Sequence, residues 1–446
     1  NRWLLGFFQG GSLTALKQRL MQDEHEGIAE DGQTGFFHAL MQNLFEVDRI
    51  SQAELRRHDL NIVRYWQTIT ERRNQREGHV LHMKYFQYLS LLFTEIYLDW
   101  FFNRQPELLA ELNTAMASYK AEPGAEPFRD FAPDDLNKIA FWNATGSGKT
   151  LLLHVNLLQY LHHFERRYPG QHPSKIILLT PNEGLSRQHL EELHLSGFSY
   201  ARYFDKSQSG SFRGTVEIID INKLGDEMGD KTVAVDAFEG NNLVLIDEGH
   251  RGAGSGAGVW MQRREALVSS GFAFEYSATF GQAVAKGQPV EQAEEDIRKK
   301  RAKMLFDTSS LKKLDKQQLQ QLMLTDSDKQ RARLQATRES YAKCILFDYS
   351  YKFFYEDGYG KESLILNLAT DDDPAIRQLY FTACLLSHYQ QLWLWSEHRD
   401  KLADFNIEKP LWVFVGNKVA DEDSDILAVI HFLADFLNDE RRAQNW

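Results

Sequence analysis

One glycine-rich segment, FWNATGSGKTLLLHV, constrains the fold of this chain more than any other part of its sequence. The apolar residues 138–142 lead into it and predict a strand, and the apolar spacing after Thr150 predicts a helix. Gly146 and Gly148 would let backbone N–H groups curl around an anion at the start of that helix, where the helix dipole also favours negative charge. The segment therefore predicts a strand, a phosphate-binding loop and a helix, in that order.

The same loop supplies side chains that suit a bound nucleoside triphosphate. Lys149 would reach the β- and γ-phosphates, and the Thr150 hydroxyl would ligate Mg²⁺. The residues expected to contact the nucleotide, ATP, are Thr145, Gly146, Ser147, Gly148, Lys149 and Thr150. The strict pattern of such loops has glycine where this chain has Asn143, but the T-G-S-G-K-T core is intact. The turn YEDGYGKES is not a second loop of this kind, because no Ser or Thr directly follows its lysine.

Two adjacent carboxylates follow another apolar run, LVLI at residues 243–246. Such a run suits a central strand of a parallel sheet, and ligands bind at the carboxyl ends of those strands. Neighbouring carboxylates repel each other there unless a cation offsets their charge. We therefore expect Asp247 to hold Mg²⁺, directly or through water, and Glu248 to polarise the water that attacks the γ-phosphate. The alternative is that both are solvated turn residues.

Strand-like runs alternate with helix-like runs between residues 138 and 280, which predicts an α/β fold built on a parallel sheet. The strand-like runs are KIAFW, KIILLT, TVEIID, NLVLID and FAFEYS. The four parts expected are a helical N-terminal region (1–135), a first nucleotide-binding lobe (138–282), a helical insertion or connector (283–404) and the start of a second lobe (405–446). The last part depends on the strand-like run PLWVFVG and the helix-like run DILAVIHFLADFL.

Composition limits the classes of protein to which the chain can belong. Its net charge is −12, so any nucleic acid must be bound by local basic patches, because the overall field is repulsive. Cys344 and Cys384 are the only cysteines, which argues against a disulfide framework or a zinc ribbon and favours a reducing cytoplasm. The most apolar helix-like segment, residues 85–102, contains Glu95 and Asp99. Those charges favour a core helix over a membrane span.

Four segments resemble, in order, the motifs of superfamily 2 helicases and translocases of the DEAD/DEAH type: NATGSGKT, LLTPNEGLSRQHL, IDEGH and YSATF. The third, followed by RGAGSG, is most similar to the ATPase (Res) subunits of type III restriction enzymes and related bacterial defence helicases. The resemblance implies RecA-like lobes, a cytoplasmic motor driven by ATP and Mg²⁺, and a restriction or phage-defence role. It also implies nucleic acid as a partner, specifically double-stranded DNA, and allows a methyltransferase or specificity subunit as a second partner.

The resemblance assigns nucleic-acid contacts to Thr180, Pro181 and Asn182, which read alone indicate only a turn. No residue in the sequence identifies a base edge or a 2′-hydroxyl, so the preference for DNA depends on the resemblance alone. Two other functions stay open. One is an RNA helicase or remodeller with the same motor, and the other is a non-motor switch that uses ATP binding to regulate assembly.

A further group would couple hydrolysis to movement. Ser277 and Thr279, at the end of the run FAFEYS, are expected from the resemblance to hydrogen-bond towards Glu248 or His250. A lone histidine is more often a structural hydrogen-bonding residue, and we expect His250 to sense the γ-phosphate rather than to transfer protons.

The second lobe of such motors supplies arginines that stabilise charge on the transferred phosphate. Only a helix-like run and a charged tail follow PLWVFVG, and Arg441 and Arg442 lack the glycine turn and spacing of those arginines. The chain also begins without methionine. We therefore expect it to be a piece of a longer protein that is inactive or weakly active alone.

Overall fold

The computed structural model describes the chain in two compact units, Asn1–Lys361 and Glu362–Trp446. The described residues are 1–8, 11–42, 49–125, 128–204, 215–225, 233–234, 240–248, 267–268, 271–280, 288–308, 310–311, 314–360, 374–403, 407–414 and 425–438. The first unit contains the described strands and the predicted phosphate loop, and the regular elements described in the second unit are helices.

Helices and strands alternate in the middle of the first unit and are preceded and followed by helices. Its described helices are α1 (Arg2–Leu5), α2 (Leu13–Leu20), α3 (Gly35–Met41), α4 (Gln52–Glu77), α5 (Tyr85–Asn103), α6 (Gln105–Lys120), α7 (Lys149–Arg167), α8 (Glu183–Leu195), α9 (Gln288–Phe306), α10 (Lys316–Gln321), α11 (Asp326–Tyr341) and α12 (Tyr351–Glu356). Its described strands are β1 (Lys138–Asn143), β2 (Ile176–Thr180), β3 (Arg202–Tyr203), β4 (Val216–Asp220), β5 (Leu224–Gly225), β6 (Val233–Ala234), β7 (Leu243–Asp247), β8 (Phe272–Ser277) and β9 (Ile345–Tyr349).

Seven of these strands form one wholly parallel sheet, in the order β3-β4-β2-β7-β8-β1-β9. The five strands predicted from the apolar runs are β1, β2, β4, β7 and β8, so the predicted α/β fold with a RecA-like parallel sheet is confirmed. Strands β5 and β6 make a separate two-stranded sheet.

The sheet is buried on both faces, which explains why its strands are continuous apolar runs. In β2, Ile176 and Leu178 join the core beneath α5 and α7, whereas Ile177 and Leu179 belong to a second core on the opposite face. This alternation follows from the two-residue period of a strand. Because these buried strands pair in a fixed register, their carboxyl ends lie at defined positions along one edge of the sheet.

Helix α5 is a core helix, as its two internal charges predict. Its residues from Tyr85 to Trp100 are all buried, and it packs against α7. The N-terminal helices therefore share one hydrophobic core with the sheet. Across the described residues, no helix combines the length and the apolar character needed to cross a membrane.

Strand β9 departs from the expected connector at 283–404. It pairs in parallel with β1 at the end of the sheet, inside the range expected to be helical. The run ILFDY is strand-like in sequence, but only pairing shows that it completes the first sheet. The range expected to be a helical insertion or connector therefore contains this strand as well as α9, α10 and α11.

The second unit has α13 (Pro374–Glu397), α14 (Arg399–Ala403) and α15 (Asp425–Asn438). Helix α15 matches the helix-like run DILAVIHFLADFL. A strand is expected at PLWVFVG. This prediction is wrong for the described residues of that run, 410–414, because they belong to no strand. Leu411 and Val413 are exposed there, so the apolar run has no sheet to bury it among the described residues.

A buried ionic cluster ties the N-terminal helices to α7. Glu95 of α5 accepts hydrogen bonds from His58 and Asn61 of α4 and from His163 of α7, at 3.3, 3.2 and 3.1 Å. The side chains of Glu95 and both histidines are at most 2% exposed. Burial disfavours the charged carboxylate, but the two histidines outweigh that effect and hold the pKa of Glu95 well below its usual range.

We expect Glu95→Gln to destabilise the protein by about 3 kcal/mol, because it removes the charge of a buried carboxylate that accepts hydrogen bonds from three buried side chains. A lowered carboxyl pKa contributes stability above its unfolded value of 4.5, and that stability is lost as the pH falls below it. Thermal melts should therefore show the largest difference from the unaltered protein near neutral pH. Glu107→Gln, on exposed α6, is the matched control and should change little. Equal melting temperatures for both variants at neutral pH would contradict this account.

Candidate functional site

The predicted phosphate loop forms between β1 and α7, as the sequence indicates. Strand β1 ends at Asn143 and α7 begins at Lys149. Gly146 and Gly148 have φ values of 89° and 86°. These left-handed conformations are accessible to glycine without the steric cost that a Cβ brings. Both glycines are thus required by the shape of the loop.

A side chain of helix α5 stabilises the loop through a hydrogen bond. Gln87 Nε2 donates a hydrogen bond to the Ser147 carbonyl at 3.0 Å. A Cβ placed on Gly148 would lie only 2.4 Å from that nitrogen, so any larger residue would displace Gln87. Gln87 is a residue of the site that sequence reasoning missed. Its only signal is a polar side chain within the apolar run YFQYLSLLF.

The inner residues of the loop are buried and the outer residues are open. Ser147 is 1% exposed, and its hydroxyl donates to the Ala144 carbonyl at 2.8 Å. Thr145 and Gly146 are exposed, and Thr150 is half-buried at the start of α7. The hydrogen bond of Ser147 therefore stabilises the loop from within. The exposed residues on the other side of the loop leave room for a ligand.

The two motifs meet at the carboxyl edge of the sheet. Asp247 is the last residue of β7, and Glu248 follows it. Lys149 Nζ donates to Glu248 Oε1 at 2.5 Å, across 99 residues of sequence. Their side chains are 12% and 19% exposed, so the pair is shielded from most solvent. The structure thus brings together the lysine and the carboxylate that the sequence assigned to phosphate and to water.

Glu248 occupies an uncommon backbone conformation. Its φ is 51°, and it is one of two described non-glycine residues with a positive φ. Its N–H donates to Asp247 Oδ1 at 3.0 Å, which stabilises this turn. A non-glycine residue in the left-handed region costs about 1 kcal/mol, and such residues concentrate at functional sites. The turn directs the Glu248 side chain to Lys149.

Asp247 has a partner that sequence reasoning missed. His189 Nε2 of α8 lies 2.8 Å from Asp247 Oδ2, within hydrogen-bond distance. The two side chains are 4% and 11% exposed. Because β2 neighbours β7, the helix after β2 can bring His189 to the end of β7. The histidine fixes the orientation of the carboxylate.

The oxygen atoms of Thr150 and Asp247 fit the expected cation. Mg²⁺ prefers hard oxygen ligands and usually takes only one or two protein ligands, the rest being phosphate oxygens and water. Within the described ranges, no cluster of three or more His, Cys, Asp or Glu residues could hold a metal ion. Thr150 and Asp247 would supply the one or two protein ligands that Mg²⁺ takes when it binds together with a nucleotide.

The end of β8 lies at the same edge of the sheet. Ser277 is fully buried, and its Oγ accepts a hydrogen bond from the Thr279 N–H at 3.0 Å. The buried Thr279 Oγ1 has no hydrogen-bond partner among the residues that the structure describes. His250 lies outside those residues, so the expected contact of this strand end with His250 stays a prediction.

The residues expected to touch nucleic acid make local contacts. Thr180 is 1% exposed, and its hydroxyl lies 2.6 Å from the Ser186 hydroxyl. Asn182 caps α8, where its side chain accepts from the Leu185 N–H at 2.9 Å. Pro181, between them, is half-buried. Both polar side chains are thus occupied in this structure, and a nucleic-acid role for the turn stays a prediction.

Part of the chain matches the model of a known protein family. Residues 101–282 match the family model described as type III restriction enzyme, res subunit. The matched stretch begins inside α5 and continues past the end of β8, so it includes the phosphate loop and both carboxylates. No curated protein matches the chain.

Proposed function

We propose that this chain, whose residues 101–282 form a superfamily 2 helicase-like ATPase domain related to the res subunit of type III restriction enzymes, drives movement along double-stranded DNA. The contact between Lys149 and Glu248 supports the ATP-hydrolysis part of the proposal, because it joins a lysine expected to bind phosphate to a strand-end carboxylate, whereas the DNA part depends on the family match. Phosphoryl transfer needs that combination of charge stabilisation and an oriented water.

In the proposed reaction, Lys149 exchanges its carboxylate partner for oxygens of the γ-phosphate. Glu248, released from the lysine, then orients the attacking water and takes up its proton. Asp247, held by His189, and Thr150 would ligate Mg²⁺. When bound, that cation neutralises charge on the phosphates. The ion pair in the structure is thus the resting state of the site, and ATP binding makes the base available.

The wider organisation is also part of the proposal. Residues 138–282 together with β9 would form the first RecA-like lobe, and region 1–135 would support it through the core that they share. Residues 405–446 would begin a second lobe. The turn at 180–182 would meet the nucleic-acid backbone, with main-chain amides as donors because its side chains are occupied.

We also propose a restriction or phage-defence role in the cytoplasm, with a methyltransferase or specificity subunit as partner, and only the family match supports it. An RNA-dependent motor and a non-motor ATP switch are the alternatives. The rate of ATP hydrolysis by the natural full-length protein, measured with duplex DNA, single-stranded DNA and RNA, separates the three. We expect the largest stimulation with duplex DNA. Stimulation by RNA alone would support the first alternative, and stimulation by none would support the switch.

The end of β8 is proposed to couple hydrolysis to movement. Ser277→Ala combined with Thr279→Ala should leave ATP binding and basal hydrolysis within about twofold of the unaltered protein, because neither hydroxyl is assigned to the phosphates or the water. Stimulation by duplex DNA and strand displacement should be lost. The matched control is Thr114→Ala with Ser118→Ala, two exposed hydroxyls on α6. A parallel loss of basal and stimulated hydrolysis would make this strand end a packing element.

A further inference from the structure

Four aromatic rings lie together beside the phosphate loop. The rings of Phe86 and Tyr349 are stacked with centroids 4.0 Å apart and an interplanar angle of 8°. The Tyr359 ring lies 5.8 Å from Phe86 and 5.6 Å from Phe354. We call these four residues the aromatic wall. They come from α5, β9, α12 and the turn after α12, and no motif of the predicted ATP site includes them.

The aromatic wall lies next to the loop. A Cβ placed on Gly146 would lie 3.6 Å from Phe354 Cζ, so this ring faces the open position beside Gly146. The Ala144 N–H, at the start of the loop, donates to the Tyr349 carbonyl at 2.9 Å. The wall therefore borders the loop on the side of β9.

The turn that carries Tyr359 is fixed in place. Asp357 is 8% exposed and accepts hydrogen bonds from the hydroxyls of Tyr85 and Tyr349. Lys17 forms an ion pair with the same carboxylate. Gly358 has a φ of 81°, a conformation that favours glycine. Asp357 and Gly358 thus hold Tyr359 in a defined position, where 36% of the residue is exposed.

The sheet order sets the direction of a nucleotide bound at the loop. In the order β7-β8-β1-β9, Asp247 and Glu248 follow β7 on one side of β1, and the aromatic wall lies on the other side. The γ-phosphate belongs with Lys149 and Glu248. The nucleoside end of the same molecule must then extend away from β7, towards β9 and its exposed tyrosine.

We propose that Tyr359 and Phe354, the two residues of the aromatic wall that are not buried, form the base-binding surface of the ATP site and stack against the base. This inference rests on the proposed function, because it takes the phosphates to lie in the loop. Stacking on an aromatic side chain is tolerant of base identity, since every base has a π-face, and it contributes about 1–3 kcal/mol per base in single-stranded nucleic-acid complexes. Tyr359 is thus an affinity-determining residue that acts on the base and not on the phosphates.

Two ligands separate the base from the phosphates: Mg·ATP and Mg·tripolyphosphate, titrated calorimetrically into the full chain. Tyr359→Ala should weaken Mg·ATP binding by about 5- to 100-fold and leave Mg·tripolyphosphate binding unchanged. Tyr359→Phe keeps the ring and should bind both ligands as the unaltered chain does. Tyr351→Ala, an exposed tyrosine on α12 whose ring meets Tyr355, is the matched control and should also bind both normally.

Three outcomes would overturn the inference. Equal weakening of both ligands by Tyr359→Ala would show that the turn shapes the loop instead of binding the base. Unchanged Mg·ATP affinity in that variant would place the base elsewhere. An unaltered chain that binds tripolyphosphate as tightly as ATP would show that the base contributes nothing to affinity. The assignment of the phosphate loop would be unaffected by that result. An unaltered chain that binds neither ligand would contradict the proposed function itself.

Discussion

Alanine in place of Lys149 is expected to weaken Mg·ATP binding to this chain by about 10- to 100-fold. The estimate follows from the loss of hydrogen bonds to a charged group, which are worth about 1.5–3 kcal/mol. Lys149 begins α7 directly after the two left-handed glycines, so its amine is placed over the loop that is expected to hold the phosphates. Equilibrium titration with a fluorescent ATP analogue and Mg²⁺ would measure the effect.

Lys329→Ala is the control for this substitution. Lys329 is a half-exposed lysine whose ion pair with Asp326 lies within one turn of α11. The Lys329→Ala variant should bind ATP as the unaltered chain does. The Lys149→Ala and Lys329→Ala variants should both keep the helical circular dichroism spectrum of the unaltered chain. ATP affinity that is unchanged in a folded Lys149→Ala variant would refute the assignment of the phosphate loop.

Glutamine in place of Glu248 should lower ATP hydrolysis by the natural full-length protein by at least about 100-fold, because general-base catalysis typically contributes 10²–10⁴-fold. Glutamine keeps the shape of the side chain but cannot take up a proton. The affinity for ATP should not fall together with the rate of hydrolysis. Since Lys149 pairs with Glu248 in this structure, removing the charge should leave the lysine more available to phosphate. We therefore expect ATP affinity to be unchanged or a few-fold higher.

Single-turnover hydrolysis and ATP titration on the same preparation separate the two effects. Glu356→Gln, an exposed glutamate on α12, should change neither quantity. A matched loss of binding and turnover in Glu248→Gln would identify Glu248 as a metal ligand or a structural residue. A normal rate would remove it from the reaction altogether.

Local patterns in the sequence predict the core of this site because short-range chemistry determines it. The apolar runs predict five strands of the sheet, and GSGKT predicts a turn that only glycines can make between a strand and a helix. The carboxylates Asp247 and Glu248 are identified by their place after a buried strand. Each of these inferences uses residues within a few positions of one another.

The missed features depend on contacts between distant parts of the chain. Gln87 meets Ser147 across 60 residues, and His189 meets Asp247 across 58. The sequence shows a glutamine in an apolar helix and a histidine on an amphipathic helix. It does not indicate which distant residue either side chain will contact. Strand β9 has a strand-like run, but its pairing with β1 is decided by the completed sheet. Residues 410–414 of the run PLWVFVG show the converse, because this apolar segment has no neighbouring strand among the described residues and does not form one.

A structure of the chain with Mg²⁺ and a non-hydrolysable ATP analogue would show whether the loop holds the nucleotide. We expect the phosphates to lie against the backbone amides of residues 146–150, with Lys149 turned from Glu248 to the γ-phosphate. We also expect the cation next to Thr150 and Asp247. A nucleotide bound elsewhere, or a loop that stays empty with the Lys149–Glu248 pair intact at saturating ligand, would contradict these expectations.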